Sequence, residues 1–190
     1  MEVLDVKDDV NKVDRTIHFV DYIEEETTER LIKAIIDVNL YDAKQEKSVV
    51  GYKREPIKLF MTTGGGSAVH TLALFDHIKY SVTPVWIYIS GYCCSGGFYM
   101  LGAADRVIAY EHTQLMYHQL SSGIDYEKLQ TQKEIVGYRE ELQKVLNSLV
   151  LENTKITKDK LDEVNSKKQD WWMDVTEAKK LGVIDEIIKK

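Results

Sequence analysis

Polar and apolar residues alternate weakly from Arg15 to Val20, "RTIHFV", which reads as a first strand; the period then changes. Leu31, Ile32, Ile35 and Ile36 recur at the spacing that gathers apolar side chains on one face of a helix, with Thr27 or Thr28 as its N-cap. The hydrophilic stretch from Tyr41 to Pro56 reads as a loop or irregular segment, and "IKLFMTT", residues 57–63, as a second strand stopped by Gly64, Gly65 and Gly66. From Ser67 the pattern is helical again, with Ala68, Leu72, Phe75 and Ile78 on one side. Pro84 opens the strand "VWIYIS", a short helix is expected from near Ser95 to about Gly102, and "RVIAY" (106–110) and "QLMYH" (114–118) are two further short strands. Repeated alternation of strand and helix predicts an α/β fold with parallel strands joined by right-handed crossovers.

The last third is mainly helical. A long helix is expected from Tyr126 to about Asn153, carrying Leu129, Ile135, Tyr138, Leu142, Val145, Leu146 and Leu149 among charges. A short helix follows Thr157, from Lys158 to Val164, and "TEAKKLG" (176–182) is another, with Gly182 as its C′ glycine. "VIDEII" closes the pattern as a strand or extended tail. The expected organisation is one domain over 15–190 after a short segment, 1–14, which suits a length of 190 residues.

Charge narrows the partners. Lys plus Arg number 25 against 31 for Asp plus Glu, a net charge of −6, so nothing draws the chain as a whole toward nucleic acid or anionic lipid. The run from Ser81 to Ala104 carries no charge and is long enough to cross a bilayer, but Pro84, Gly91, Gly96, Gly97 and Gly102 interrupt it; it reads as a buried strand, a turn and a helix, and no membrane association is expected. The acidic "MEVLDVKDDV" lacks the character of a signal peptide, which predicts an intracellular, cytoplasmic protein. The two cysteines, Cys93 and Cys94, are adjacent; Cα atoms about 3.8 Å apart disfavour a disulfide, and two thiols do not complete a zinc site, so they read as small buried side chains.

Within "GYCCSGGFYMLG" Ser95 falls at the expected strand-to-helix junction, where orphan N–H groups and the positive end of the helix dipole favour an alkoxide or oxyanion. Such a serine is also an ordinary N-cap, and the elbow motif G-x-S-x-G is only half present, Cys93 standing at its first glycine. "TTGGGSAV" lacks both the lysine of a P-loop and the spacing of a dinucleotide fingerprint, so no cofactor is expected in this chain; its glycines let backbone N–H groups approach a substrate. Of His18, His70, His77, His112 and His118, the last ends a strand, where side chains reach the rim of an α/β sheet. Asp170 precedes Trp171 and Trp172, an aromatic neighbourhood able to shelter a carboxylate that orients a histidine; Asp170 and Asp174 equally suit a loop or helix cap.

In chain order, "TTGGGSAV", "GYCCSGG", "LMYHQL" and "QDWWMDVTEAKKLGVID" resemble the Gly-Gly-Ser turn, the nucleophile turn, the Met-x-His-Gln motif and the Arg-Asp-x-Phe/Trp-Met close of the proteolytic subunit of the Clp protease, the ClpP family of serine peptidases. The resemblance runs from about Arg15 to Ile187; the family's Asn-Ser-Pro is Thr62, Thr63 and Gly64 here. It implies a ClpP/crotonase-like spiral of β-α-β units with a long protruding helix, and a triad of Ser95, His118 and Asp170. It also implies an oxyanion hole from the backbone N–H groups of Gly66 and Gly96. The same resemblance implies a homo-oligomer, a double seven-membered ring that encloses the active sites and takes unfolded polypeptides from an AAA+ unfoldase, which would be the component that uses ATP. The alternatives are a catalytically silent ring-forming relative and a crotonase-type acyl-CoA enzyme.

Overall fold

The computed structural model describes residues 13–121, 123 and 128–190. Its central element is a seven-stranded sheet of β1 (Thr16–Val20), β2 (Ile57–Thr63), β3 (Val85–Cys94), β4 (Arg106–Tyr110), β5 (Gln114–Tyr117), β6 (Trp171–Asp174) and β7 (Glu186–Ile188). The strands run in the order β1-β2-β3-β4-β7, and β5 and β6 branch from β3. Every pairing is parallel except β5 with β6. The helices are α1 (Glu25–Ser48), α2 (Ala68–Lys79), α3 (Gly96–Met100), α4 (Leu129–Asn153), α5 (Lys158–Ser166) and α6 (Val175–Lys180).

The core lies where the sheet meets its helices. In β2 the alternation is strict, with Ile57, Leu59, Met61 and Thr63 buried. In β3 the buried set is Val85, Ile87 and Ile89, with Cys93 and Cys94 at its end. Leu31, Ile35 and Val38 of α1 and Leu74, Phe75 and Ile78 of α2 complete this layer. The opposite face carries a stack across three strands, His18 on Phe60 at 5.4 Å and Phe60 on Tyr88 at 4.8 Å between ring centroids. Thus the uncharged run from Ser81 to Ala104 is a buried strand and a short helix, as expected, and among the described residues no helix is long and apolar enough to cross a membrane.

Five expectations need correction. Residues 41–48 are not loop: α1 continues to Ser48, because "DAKQEK" is rich in helix formers and Asp42 is fastened in place from outside the helix. The helix begins at Glu25 with Glu24 as N-cap, while Thr27 accepts the Glu24 N–H at 3.0 Å and donates back to the Tyr22 carbonyl at 2.7 Å. Ile36 is 41% exposed and lies off the buried face. Finally, β3 continues through Gly91 to Cys94, and "WWMD" is a strand where a loop or cap was expected. Gly182 does take the C′ position after α6, with φ 69°, its N–H bonded to the Lys179 carbonyl and that of Val183 to Ala178. The expected start of the long helix at Tyr126 and most of the 1–14 segment lie outside the described residues.

The fastening of Asp42 joins four parts of the chain. Its carboxylate is 0% exposed and takes hydrogen bonds from Arg15, Tyr52 and Thr83, so it ties β1, α1, the loop before β2 and the approach to β3. Arg54 adds a bridge from Glu46 to Thr83. Burial alone would raise the Asp42 pKa; the donors from Arg15, Thr83 and Tyr52 outweigh it and hold the group down to about 2. A folded-state pKa below the unfolded value stabilises the protein above the unfolded pKa, and that stabilisation is lost as pH falls through the folded one. Asp42 is therefore expected to contribute about 2 kcal/mol above roughly pH 4, lost between about pH 4 and pH 2. Urea unfolding of wild type and Asp42→Asn across this range checks it: the variant should be less stable at pH 6 by about 3 kcal/mol, and the gap should narrow toward pH 2.

Candidate active site

The site is built where β3 forks. Trp86 to Ile89 pair with β4, whereas Tyr92 to Cys94 pair with β5 while Cys93 still pairs with Thr63 of β2, so the end of β3 exchanges one neighbour for another and carries Ser95 to the edge of β5. The Ser95 N–H is held by the Met116 carbonyl at 2.9 Å, which fixes the serine against β5 two residues before His118. Ser95 sits at φ 53° and ψ −120°, a conformation that costs an ordinary residue about 1–3 kcal/mol and concentrates at functional turns. Ser95 precedes α3 but caps nothing with its side chain. The plain N-cap reading is thereby removed.

The loop after β2 lies directly against this turn. A Cβ on Gly65 would sit 2.6 Å from Ser95 Cβ and 2.8 Å from both the Cys94 oxygen and the Gly96 nitrogen, and its φ is 96°. Gly66 is bridged to Ile23: the Ile23 N–H donates to the Gly65 carbonyl and the Ser67 N–H to the Ile23 carbonyl, both at 2.8 Å. In that parallel bridge the Gly66 N–H is turned away from Ile23, and among the described residues it has no backbone acceptor; neither has the N–H of Gly96, the first residue of α3. The two groups are neighbours, since a Cβ on Gly96 would lie 3.5 Å from the Gly66 nitrogen.

A cavity of about 260 Å³ opens over these groups. Gly64, Gly65, Gly66, Ser95, Gly96 and His118 line it, and Tyr22, Thr71, Tyr99, Leu120 and Leu146 contribute side walls. Ser95 and His118 are thus brought to one pocket. Asp170 is not among its lining residues; it is exposed, one residue before β6. Tyr117 pairs with Trp171 at the last rung of the antiparallel ladder, and His118 and Asp170 are the residues one step beyond that rung on the two strands. No side-chain hydrogen bond joins Ser95, His118 and Asp170 among the described residues, and Asp174, at the other end of the ladder, is committed to capping α6 through the Glu177 N–H at 2.8 Å.

The neighbouring thiols are chemically quiet. Cys93 is fully buried, which drives its pKa well above the ordinary value, with the Cys94 charge adding to it. Burial, then the charge of Asp170, pushes Cys94 up to about 11, so both are protonated at neutral pH and poor nucleophiles. Among the described residues no cluster of His, Cys, Asp and Glu is arranged to hold a metal ion. Three contributors escaped sequence reasoning. Tyr22 and Leu146 carry no local signal, since chain segments far apart bring them in; Tyr99, four residues after Ser95, could have been found as the next helical turn above it.

Comparison with known proteins shows the family to which the chain belongs. A model of the Clp protease family matches residues 3–190. The chain belongs to the Clp protease family. It is 27% identical over 142 residues to ATP-dependent Clp protease proteolytic subunit 1 of Rhodopirellula baltica, a match over 72% of this chain and 60% of that protein. It is 29% identical over 141 residues to proteolytic subunit 2 of Treponema pallidum, over 72% of this chain and 68% of that one. A solved structure of a ClpP1 variant from Listeria monocytogenes superposes with a TM-score of 0.75, covering 93% of this chain and 92% of the other at 23% identity. The fold of this divergent Clp protease family member is therefore the ClpP fold, with its mixed sheet and long helix.

The approach of Gly65 to Ser95 gives a separable test. Gly51 has a similar positive φ, 77°, but nothing within 4 Å of its Cβ position. Gly51→Ala is expected to cost about 1 kcal/mol, the backbone penalty alone, and Gly65→Ala about 3 kcal/mol or more, because the Ser95 turn must also move. Chemical denaturation of the two variants checks the difference.

Proposed function

We propose that this chain is a serine endopeptidase subunit that hydrolyses peptide bonds of unfolded polypeptides. The observation that carries the reading is one pocket holding Ser95 on a strained turn, His118, and the acceptor-free N–H groups of Gly66 and Gly96, beside two thiols held protonated. His118 takes the proton of Ser95 Oγ as the oxygen attacks a peptide carbonyl, and returns it to the leaving amine. Negative charge on the former carbonyl oxygen develops toward Gly66 and Gly96, where donors already aimed at it need no reorganisation. Water, activated in turn by His118, releases the acyl group from Ser95. Asp170 would hold the imidazole tautomer and stabilise its cation, and the ladder register favours it over Asp174.

Family membership also supports assembly into rings that enclose the sites, with a partner AAA+ unfoldase using ATP to supply substrate, and a cytoplasmic setting. The long α4, with Val136, Tyr138 and Val145 exposed, is the element suited to join ring to ring. A second reading, a ring-forming subunit without peptidase activity, draws on the lack of hydrogen bonds among Ser95, His118 and Asp170. Labelling with a fluorophosphonate separates the two, because only an activated serine reacts.

Wild type is expected to label at Ser95 and to cleave short fluorogenic peptides. Ser95→Ala should abolish both, while Cys93→Ala and Cys94→Ala retain them; loss in a stably folded cysteine variant would contradict the assignment. Asp170→Asn should lower the peptidase rate by about 100-fold or more with little change in stability, whereas Asp174→Asn, which can still cap α6, should leave the rate within about twofold. The reverse ordering reassigns the acid.

A further inference from the structure

In the proposed reaction the nucleophile and the base sit on different elements, and one residue hydrogen-bonds to the backbone of both. Tyr99 occupies the turn of α3 above Ser95, and its N–H reaches the Ser95 carbonyl at 3.3 Å. Its phenol oxygen donates to the His118 carbonyl at 3.0 Å. The ring is 5% exposed, lines the pocket, and is wedged edge-on between Phe98 at 6.2 Å and Tyr117 at 5.8 Å. Burial drives the phenol well above its ordinary pKa, so it stays a donor through the working range.

His118 is held on its other side as well. The Leu120 N–H donates to Gln143 Oε1 of α4 at 2.5 Å, and Gln143 Nε2 donates to Asn147 Oδ1 at 2.7 Å. Residues 118–120 follow the end of β5, so no ladder partner fixes them, and the two side-chain bonds take over that task. With no side-chain bond from His118 to Ser95 or Asp170 among the described residues, these backbone bonds fix the point from which the imidazole extends.

We propose that Tyr99 is a positioning residue for peptide hydrolysis: its hydroxyl ties the His118 backbone to the helix that carries Ser95 and so sets the approach of the imidazole to Ser95 Oγ. This rests on the peptidase reading above. Tyr99 does not touch the reacting atoms in this role; it acts through His118.

The test is Tyr99→Phe, which keeps the ring and removes only the hydroxyl. Loss of one buried hydrogen bond to the base's backbone is expected to lower kcat by about tenfold, with KM within about twofold, and to slow fluorophosphonate labelling of Ser95 by a similar factor. The melting temperature should fall by only a few degrees. A second variant, Gln143→Glu, keeps an acceptor for the Leu120 N–H and should retain kcat within about threefold, whereas Gln143→Leu should lower it as Tyr99→Phe does. Unchanged kcat and labelling rate in Tyr99→Phe, against an active wild type, overturns the positioning role alone. A wild type that neither cleaves nor labels overturns the peptidase reading, and this inference with it.

Discussion

The structure turns on a contact in which one partner has no side chain. The loop after β2 and the turn after β3 meet so closely that a single methyl on Gly65 would overlap Ser95, Cys94 and Gly96. That approach brings the Gly66 nitrogen beside Gly96 and places both residues with Ser95 in the lining of one pocket. Because the donors belong to the backbone, their direction is fixed by φ and ψ, and no rotamer has to be frozen to aim them. The bridge to Ile23 turns the Gly66 N–H away from that residue, and the Met116 carbonyl holds the Ser95 N–H.

The rest of the fold can be understood as support for that contact. β3 is buried and paired with β2 and β4 through its first half, then exchanges β4 for β5 while Cys93 still pairs with Thr63 of β2, so Ser95 emerges from a strand held on both sides. β6 runs back along β5 and delivers Asp170 to the end of the ladder that leads to His118. Farther away, the Asp42 cluster joins β1, α1 and the approach to β3 with charge-assisted hydrogen bonds, so polar groups locate the strands whose ends form the pocket. A buried ion pair is costly unless fully satisfied, and here Arg15, Tyr52 and Thr83 satisfy it.

Much of this was legible in the chain, for reasons that differ by element. Strands β2 and β4 and helix α2 announce themselves through local periodicity, and the three glycines after Thr63 mark a stop. The extension of α1 to Ser48 was hidden because its last turns are polar on every face and are held by Asp42, whose partners lie far along the chain. The strand "WWMD" was hidden for a related reason: four residues with Asp at the end have no period of their own, and pairing with β5 makes them a strand. At the site, Ser95 stands out by position and His118 by its strand end, whereas Gly66 and Gly96 came only with the resemblance. The cradle of Gly65 against Ser95 and the reach of Tyr99 to His118 are tertiary contacts with no counterpart in a local pattern. Resemblance to ClpP pointed to Asp170, and the ladder register supplies a geometric argument for the same residue.

In the proposed reaction an oxyanion formed on the Ser95 adduct meets two backbone donors, the N–H groups of Gly66 and Gly96. The most direct measurement is a crystal structure of the protein after reaction with a peptide boronate, whose tetrahedral adduct mimics the charge of the acyl-transfer intermediate. The expected result is boron bonded to Ser95 Oγ, with one boronate oxygen about 2.7–3.1 Å from the nitrogens of both Gly66 and Gly96. An adduct on another residue, or on Ser95 with that oxygen directed to solvent and both nitrogens unengaged, would contradict it.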